Sequence, residues 1–211
     1  MAKAKGSRTV SFIVFAALVV CLVLAIVGLA IPQWTTIKIN EDYADLVPDE
    51  VIEEAESSFG DIVDYVTSDE YKEEMEHLQK MKDTAEEIGL EGEDLDMLNE
   101  AIRSMQESAA VVAFGLITVL LLAVAAVICL LNIIFNIGFF RFIVLAAGVL
   151  ALIAGIITIA LTAAMIDMGS LGEAVGDYVK PVVGAGAVLL AVGGILGGLT
   201  AGAGFFLGKK K

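Results

Sequence analysis

"LDMLNEAIRSMQESAAVVAFGLITVLLLAVAAVICLLNIIF", Leu95–Phe135, changes character halfway along with no proline to interrupt it. Its first part sets Leu95, Leu98, Ile102, Met105 and Ala109 at helical spacing among acids and amides. From Ala109 to Phe135 it is apolar but for Thr118 and Asn132. About 20 such residues, at about 1.5 Å each, cross a hydrocarbon core of about 30 Å. One helix is therefore expected to carry an acidic amphipathic half into a membrane-spanning half. That reading sets the fold class: an all-α membrane protein with a helical soluble element attached.

The rest of the chain supplies three more spans. Apolar runs cover residues 10–31, 142–166 and 182–207, and residues 109–135 complete the set. The whole chain is 58% hydrophobic and its mean hydropathy is +0.84. A soluble globular domain does not have this composition. The first run is too long for the apolar core of a signal peptide and is read as an uncleaved anchor. No ionisable residue lies within the runs, where a central charge costs about 2.5–3.5 kcal/mol on insertion scales.

Charge gives the orientation. Lys3, Lys5, Arg8, Arg141, Lys209, Lys210 and Lys211 flank one side of the spans, with no acid among them. All 27 acids and the other six of the 13 bases fall on the opposite side. By the positive-inside rule both termini (1–9 and 208–211) and the turn at 136–141 face the cytoplasm. Residues 32–108 and the short loop 167–181 then face outward. Arg141 marks the inner membrane interface. Trp34, the only tryptophan, marks the outer one, where an amphipathic ring suits the headgroup layer. The "GKKK" end lacks the spacing of a retrieval tail, which points to the plasma membrane.

Residues 32–108 read as an acidic helical domain. Val51, Ile52, Ala55, Phe59, Ile62, Val63 and Val66 form one stripe, with Pro48 ahead of it. "TSDE", Thr67–Glu70, has the form of a capping box opening a second helix. Tyr71, Met75, Leu78, Met81, Ala85 and Ile88 form its stripe, which Gly89 closes. Short stripes are unstable alone in water, so they are expected to pack on one another or on a partner. The acid is read first as a solvated face. Weak binding of a divalent cation or a basic partner is the sharper alternative, densest at Glu91–Asp96. That stretch lacks the spacing of an EF-hand. Nucleic acid is excluded as an outer partner by charge sign.

Small residues mark helix packing. Gly193, Gly194, Gly197, Gly198 and Gly202 lie in the fourth run, and Gly148 and Gly155 in the third. Such residues let helix backbones approach closely in lipid. They suit packing against spans one or three, or lateral association with a protein partner or a second copy. Thr118, Asn132, Asn136, Thr158 and Thr162 are the few polar residues in the runs, and Asn136 with Gly138 suits a tight turn. Cys21 and Cys129 lie in apolar runs and His77 stands alone, so neither a disulfide framework nor a metal cluster is expected. No nucleophile–base pair and no cofactor motif is visible.

"IPQWTT", Ile31–Thr36, and "RFIVLAAGVLALIAGI", Arg141–Ile156, resemble the loop opening and third span of the claudin and peripheral myelin protein superfamily. The glycine-rich fourth span and basic tail are similar too. That family joins four spans through a large first loop and a small second one, with both termini cytoplasmic. Its Gly-Leu-Trp stretch and two loop cysteines are not in this sequence. The resemblance implies cell-contact, barrier or channel-accessory roles, with Trp34 the one residue carried over, and a first loop built mostly of sheet. The residues themselves read as helix. Together these readings point to a non-enzymatic structural, adhesion or accessory protein acting through lateral and outer contacts. A small sensor relaying strain through the helix of span two is the alternative. A channel or transporter stands last, for want of intramembrane charge.

Overall fold

A computed structural model of the chain describes residues 2–39, 57–90, 92–168 and 179–208. Among these are six helices and two strands: α1 Ala2–Ala30, β1 Thr35–Ile39, α2 Phe59–Thr67, α3 Asp69–Glu87, α4 Glu93–Phe135, α5 Gly138–Met168, β2 Val179–Val183 and α6 Ala185–Gly208. Four of the helices, α1, α4, α5 and α6, are long and apolar enough to cross a membrane. The chain is an all-α, multi-pass four-helix bundle.

The four long helices close a ring in which α1 packs on α4, α4 on α5, α5 on α6 and α6 back on α1. Lipid offers no hydrophobic drive for this, so the contacts depend on shape. Alanines fill the interior at positions 25, 125, 147, 151, 154, 187, 191 and 201. Leu18, Leu122 and Leu190 fill what the alanines leave. The three buried threonines bond to their own helices: Thr118 donates to the Phe114 carbonyl at 2.8 Å, Thr158 to Ala154 at 2.9 Å and Thr162 to Thr158 at 2.9 Å. The outward faces remain apolar, with Leu120, Val127, Ile134, Leu150 and Leu199 all exposed to the surroundings of the bundle.

Helix α4 is unbroken over 43 residues, which is about 65 Å at the helical rise. Roughly half exceeds a hydrocarbon core of about 30 Å. It therefore projects from one end of the bundle, where α3 folds back against it. The turn between α3 and α4 is a Schellman motif. Leu90 N–H donates to Ala85 at 2.9 Å and Gly89 N–H to Glu86 at 3.1 Å. Gly89 has φ +69° and Gly92 φ +98°, values that favour glycine. At the other end, Asn136 adopts a left-handed conformation with φ 53° and stops α4, so α5 starts after two residues. The turn is thus shorter than the expected 136–141.

Two expectations are corrected. The helix of the fourth run starts at Ala185 rather than at 182, because Val182 and Val183 belong to β2, in which Pro181 stands opposite Ile37 of β1. A two-stranded sheet tolerates proline because each strand keeps a free edge. Pro48, ahead of the first stripe, lies outside the described residues. Ser57 is held in a bridge to Thr35, and Ser58 caps α2 through reciprocal bonds with Asp61. The stripe positions 51, 52 and 55 lie outside the described residues. Finally, Ser68 rather than Thr67 caps α3, accepting from Tyr71 N–H at 3.0 Å. Thr67 is the last residue of α2, its hydroxyl donating to the Val63 carbonyl.

Candidate functional site

The end of the bundle from which α4 projects is closed by a collar built on Trp34. The residues 31–34 leave α1, turn, and send β1 antiparallel to β2, with Thr35 opposite Val183 and Ile39 opposite Val179. This joins the two loops on that side. Gly184 N–H donates to the Trp34 carbonyl and Gly186 N–H to the Gln33 carbonyl, both at 2.9 Å. Two amides at the start of α6 thereby find acceptors. Trp34 N–H in turn donates to Ser57 at 2.8 Å, which ties α2 to the collar.

Trp34 is fully buried, its ring covered by the surrounding protein. It packs among Phe59, Ile62, Val111, Val112, Ala187 and Leu190. Its ring centroid is 4.7 Å from that of Phe59. Phe59 lies against Gly115, where an added Cβ would come within 3.0 Å of the ring. One indole therefore bridges α1, α2, α4 and α6. Its Nε1 is buried without a hydrogen-bond partner, so shape rather than polarity holds it there.

The small residues named from the sequence divide by partner. A Cβ at Gly193 would meet Cys21 O of α1 at 2.7 Å. One at Gly197 would strike Leu122 of α4. Gly194 and Gly198 face α5, with Ala151 O at 2.8 Å and Gly148 O at 2.7 Å. Gly155 looks back onto Gly194 Cα at 3.4 Å, and Gly148 onto Ala201. Gly202 meets nothing within 4 Å. Two glycines that the sequence reading missed make a crossing as close as these backbone approaches. A Cβ on Gly28 or on Gly186 would lie 2.7 Å from the other's carbonyl oxygen. They were invisible because Gly28 stands alone in its run and Leu190 interrupts the four-residue series between Gly186 and Gly194.

At the opposite end, Arg141 is half-buried in the first turn of α5. It lines a small crevice with Ser11, Val14, Cys129, Asn132 and Phe205. Asn132 Nδ2 donates to Ser11 Oγ at 3.4 Å, which pins α4 to α1 there.

Above the collar stands the hairpin of α3 and α4, with α2 at its base. Tyr71 OH donates to the Met105 carbonyl at 3.0 Å, and Ile102 and Met105 are buried beneath α3. Tyr65 donates to Glu74 Oε2 at 3.0 Å. Partial burial, then that carboxylate, pushes the Tyr65 phenol up to about 12. Burial raises Tyr71 as well. The Ser58 hydroxyl and backbone hold Asp61 below the usual carboxylate value. Lys72 does the same for Asp69, and Lys80 for Glu76. Near the collar, Arg103 Nε donates to the buried Glu107 at 2.8 Å.

The hairpin surface is rich in carboxylates. Asp94 and Asp96, from the densest acidic stretch, are exposed; Glu91 lies outside the described residues. Among the described residues no three His, Cys, Asp or Glu side chains converge as a metal-binding group. No family model, curated protein or solved structure matches the chain.

Proposed function

We propose that the chain is a non-enzymatic membrane protein with a structural, cell-contact or accessory-subunit role. Its hairpin is the contact surface, and it lies outside the plasma membrane with both termini in the cytoplasm. The observation that carries this reading is the division of labour along α4. Its lower half is committed to packing within the bundle, where threonine hydroxyls bond their own helices. Its upper half is held away from the membrane by a collar and displays acid and apolar groups. A scaffold that presents a rigid surface suits recognition rather than conduction or turnover. The basic flanks support the orientation, and the resemblance of "IPQWTT" to the claudin-type loop opening points to cell contact.

The test is affinity capture after mild detergent extraction, with the full chain and with a variant whose residues 70–97 are replaced by a short glycine–serine turn. Partners retained by the full chain and lost by the variant are expected. An identical partner set would remove the hairpin from the function.

The unbroken course of α4 favours one second reading, a sensor that relays hairpin occupancy to the cytoplasmic side. Spin labels at positions 11 and 132 would report it. A distance change on partner binding supports relay, and a constant distance leaves the scaffold reading alone.

A further inference from the structure

The apolar stripe of α3 is not fully used. Tyr71, Met75 and Leu78 are partly covered by α4, but farther along the stripe large apolar side chains are left exposed. Met81 is 44% exposed and Ile88 69% exposed, and Met97 of α4 is 61% exposed. Together with Ala85 and Leu98 they line a cleft of about 650 Å³. Met97 is twelve residues above Ala109, where the apolar half of α4 begins. That places the cleft on the order of 18 Å beyond the span, out of reach of lipid chains. An apolar patch on a soluble hairpin requires an occupant or invites aggregation. Two methionines in the lining give it an adaptable surface.

Charge selects the occupant. The lysines of α3 are engaged along their own helix: Lys72 with Asp69 at 2.8 Å, Lys80 with Glu76 at 2.7 Å, and Lys82 with Glu86 at 3.8 Å. His77 and Lys80 line one wall of the cleft. Glu70, Glu73, Asp83 and Glu87 have no cationic partner among the described residues, and Asp94 lines the cleft itself. A second copy would bring the same carboxylates against these. The chain's own residues 40–56 hold eight acids and no Lys or Arg. Its basic stretches, 1–8 and 209–211, fall in sequence at the start of α1 and after the end of α6, and α1 starts and α6 stops at the opposite end of the bundle.

We propose that the cleft between α3 and α4 docks a cationic amphipathic helix from a partner protein. The apolar side of that helix seats on Met81, Ile88 and Met97, and its basic side meets the surrounding carboxylates. This is the helix-in-groove mode, in which apolar anchors recur at i, i+3, i+4 and i+7. The proposal rests on the reading of the hairpin as the contact surface, and supplies its partner's chemistry.

The test uses the full chain in nanodiscs of zwitterionic lipid and three labelled peptides of about five helical turns. The first is Leu/Lys with leucines at helical spacing. The second has the same composition with Leu and Lys alternating, and the third replaces Lys by Glu in the first pattern. Fluorescence anisotropy should show the first binding at least about tenfold more tightly than the other two and than to empty nanodiscs, a gap of about 1.4 kcal/mol. Its affinity should fall as salt is raised, because exposed charges are screened within about 8 Å at physiological ionic strength.

The exposed double variant Ile88→Ser/Met97→Ser leaves charge unchanged and should lose about tenfold. Glu87→Gln with Asp94→Asn should flatten the salt dependence. Equal binding of the alternating peptide would mean unspecific attraction to acid. Equal binding of the Glu peptide would mean apolar adsorption without charge selection. Either result, or an unaffected Ser double variant, overturns the proposal. If the cleft fails while hairpin-dependent capture persists, the contact reading survives with another surface; if capture is also hairpin-independent, both fall.

Discussion

The indole of Trp34 touches chain segments that are far apart in sequence: α2, the outer half of α4 and the start of α6. Truncating it leaves a cavity at their meeting point, and Trp34→Ala is expected to cost about 3–5 kcal/mol. Trp34→Phe should cost clearly less, about 1–2 kcal/mol, because the buried Nε1 has no hydrogen bond to lose. Thermal unfolding of both variants in detergent checks the order; equal losses would mean that the N–H matters. The glycines give a second contrast. Gly28→Leu drives a side chain into the backbone of Gly186 and Leu190, which cannot turn aside. A loss of about 3 kcal/mol or more is expected. Gly202→Leu enters open space and should change stability by less than about 0.5 kcal/mol. The same unfolding assay reads both, and a costly Gly202→Leu would reveal an unrecognised neighbour on that face.

At the scale of elements, the helices of the hairpin are set by their caps. Ser58→Ala removes one half of the α2 capping box and should cost about 1 kcal/mol. It should also raise the pKa of Asp61, since the Ser58 hydroxyl is the main cause of its depression. A depressed carboxylate contributes stability above its ordinary value, lost as pH falls through the folded one. Carboxyl NMR titration of wild type and variant measures the shift, and an unmoved Asp61 would refute the cap. Tyr65 works in the opposite sense. Its raised pKa keeps the phenol protonated, so its contribution is full below the ordinary tyrosine value and lost as pH rises through about 12. Glu74→Gln should bring the Tyr65 step down in an ultraviolet titration; an unchanged step would mean that burial alone sets it. The stripes of α3 and α4 were legible because helical spacing survives in any one segment. The pairing of β1 with β2 was not, because it joins distant residues, such as Thr35 with Val183, across the acidic domain and two spans. Val179, Val182 and Val183 beside Thr35, Thr36 and Ile37 are β-favouring, yet each run is short and adjoins an apolar span that absorbs it. The burial of Trp34 was illegible for a related reason: sequence puts it at the end of a span, and only the arrival of α2 and α6 decides that it is covered.

At the scale of the molecule, the four spans and the continuity of α4 followed from composition and period, which need no tertiary knowledge. The site was less readable. Met81 and Ile88 sit in the expected stripe, but their exposure depends on how α3 packs on α4. Met97 lay outside every stripe. The central claim is that hairpin and collar stand outside while both termini stay within. Cysteine accessibility in intact cells tests it most directly, with Cys21 and Cys129 first replaced by alanine. With a membrane-impermeant maleimide, Leu90→Cys at the hairpin turn should label at once, and Lys210→Cys only after permeabilisation. Labelling of Lys210→Cys in intact cells, with Leu90→Cys protected until the membrane is opened, would contradict the account.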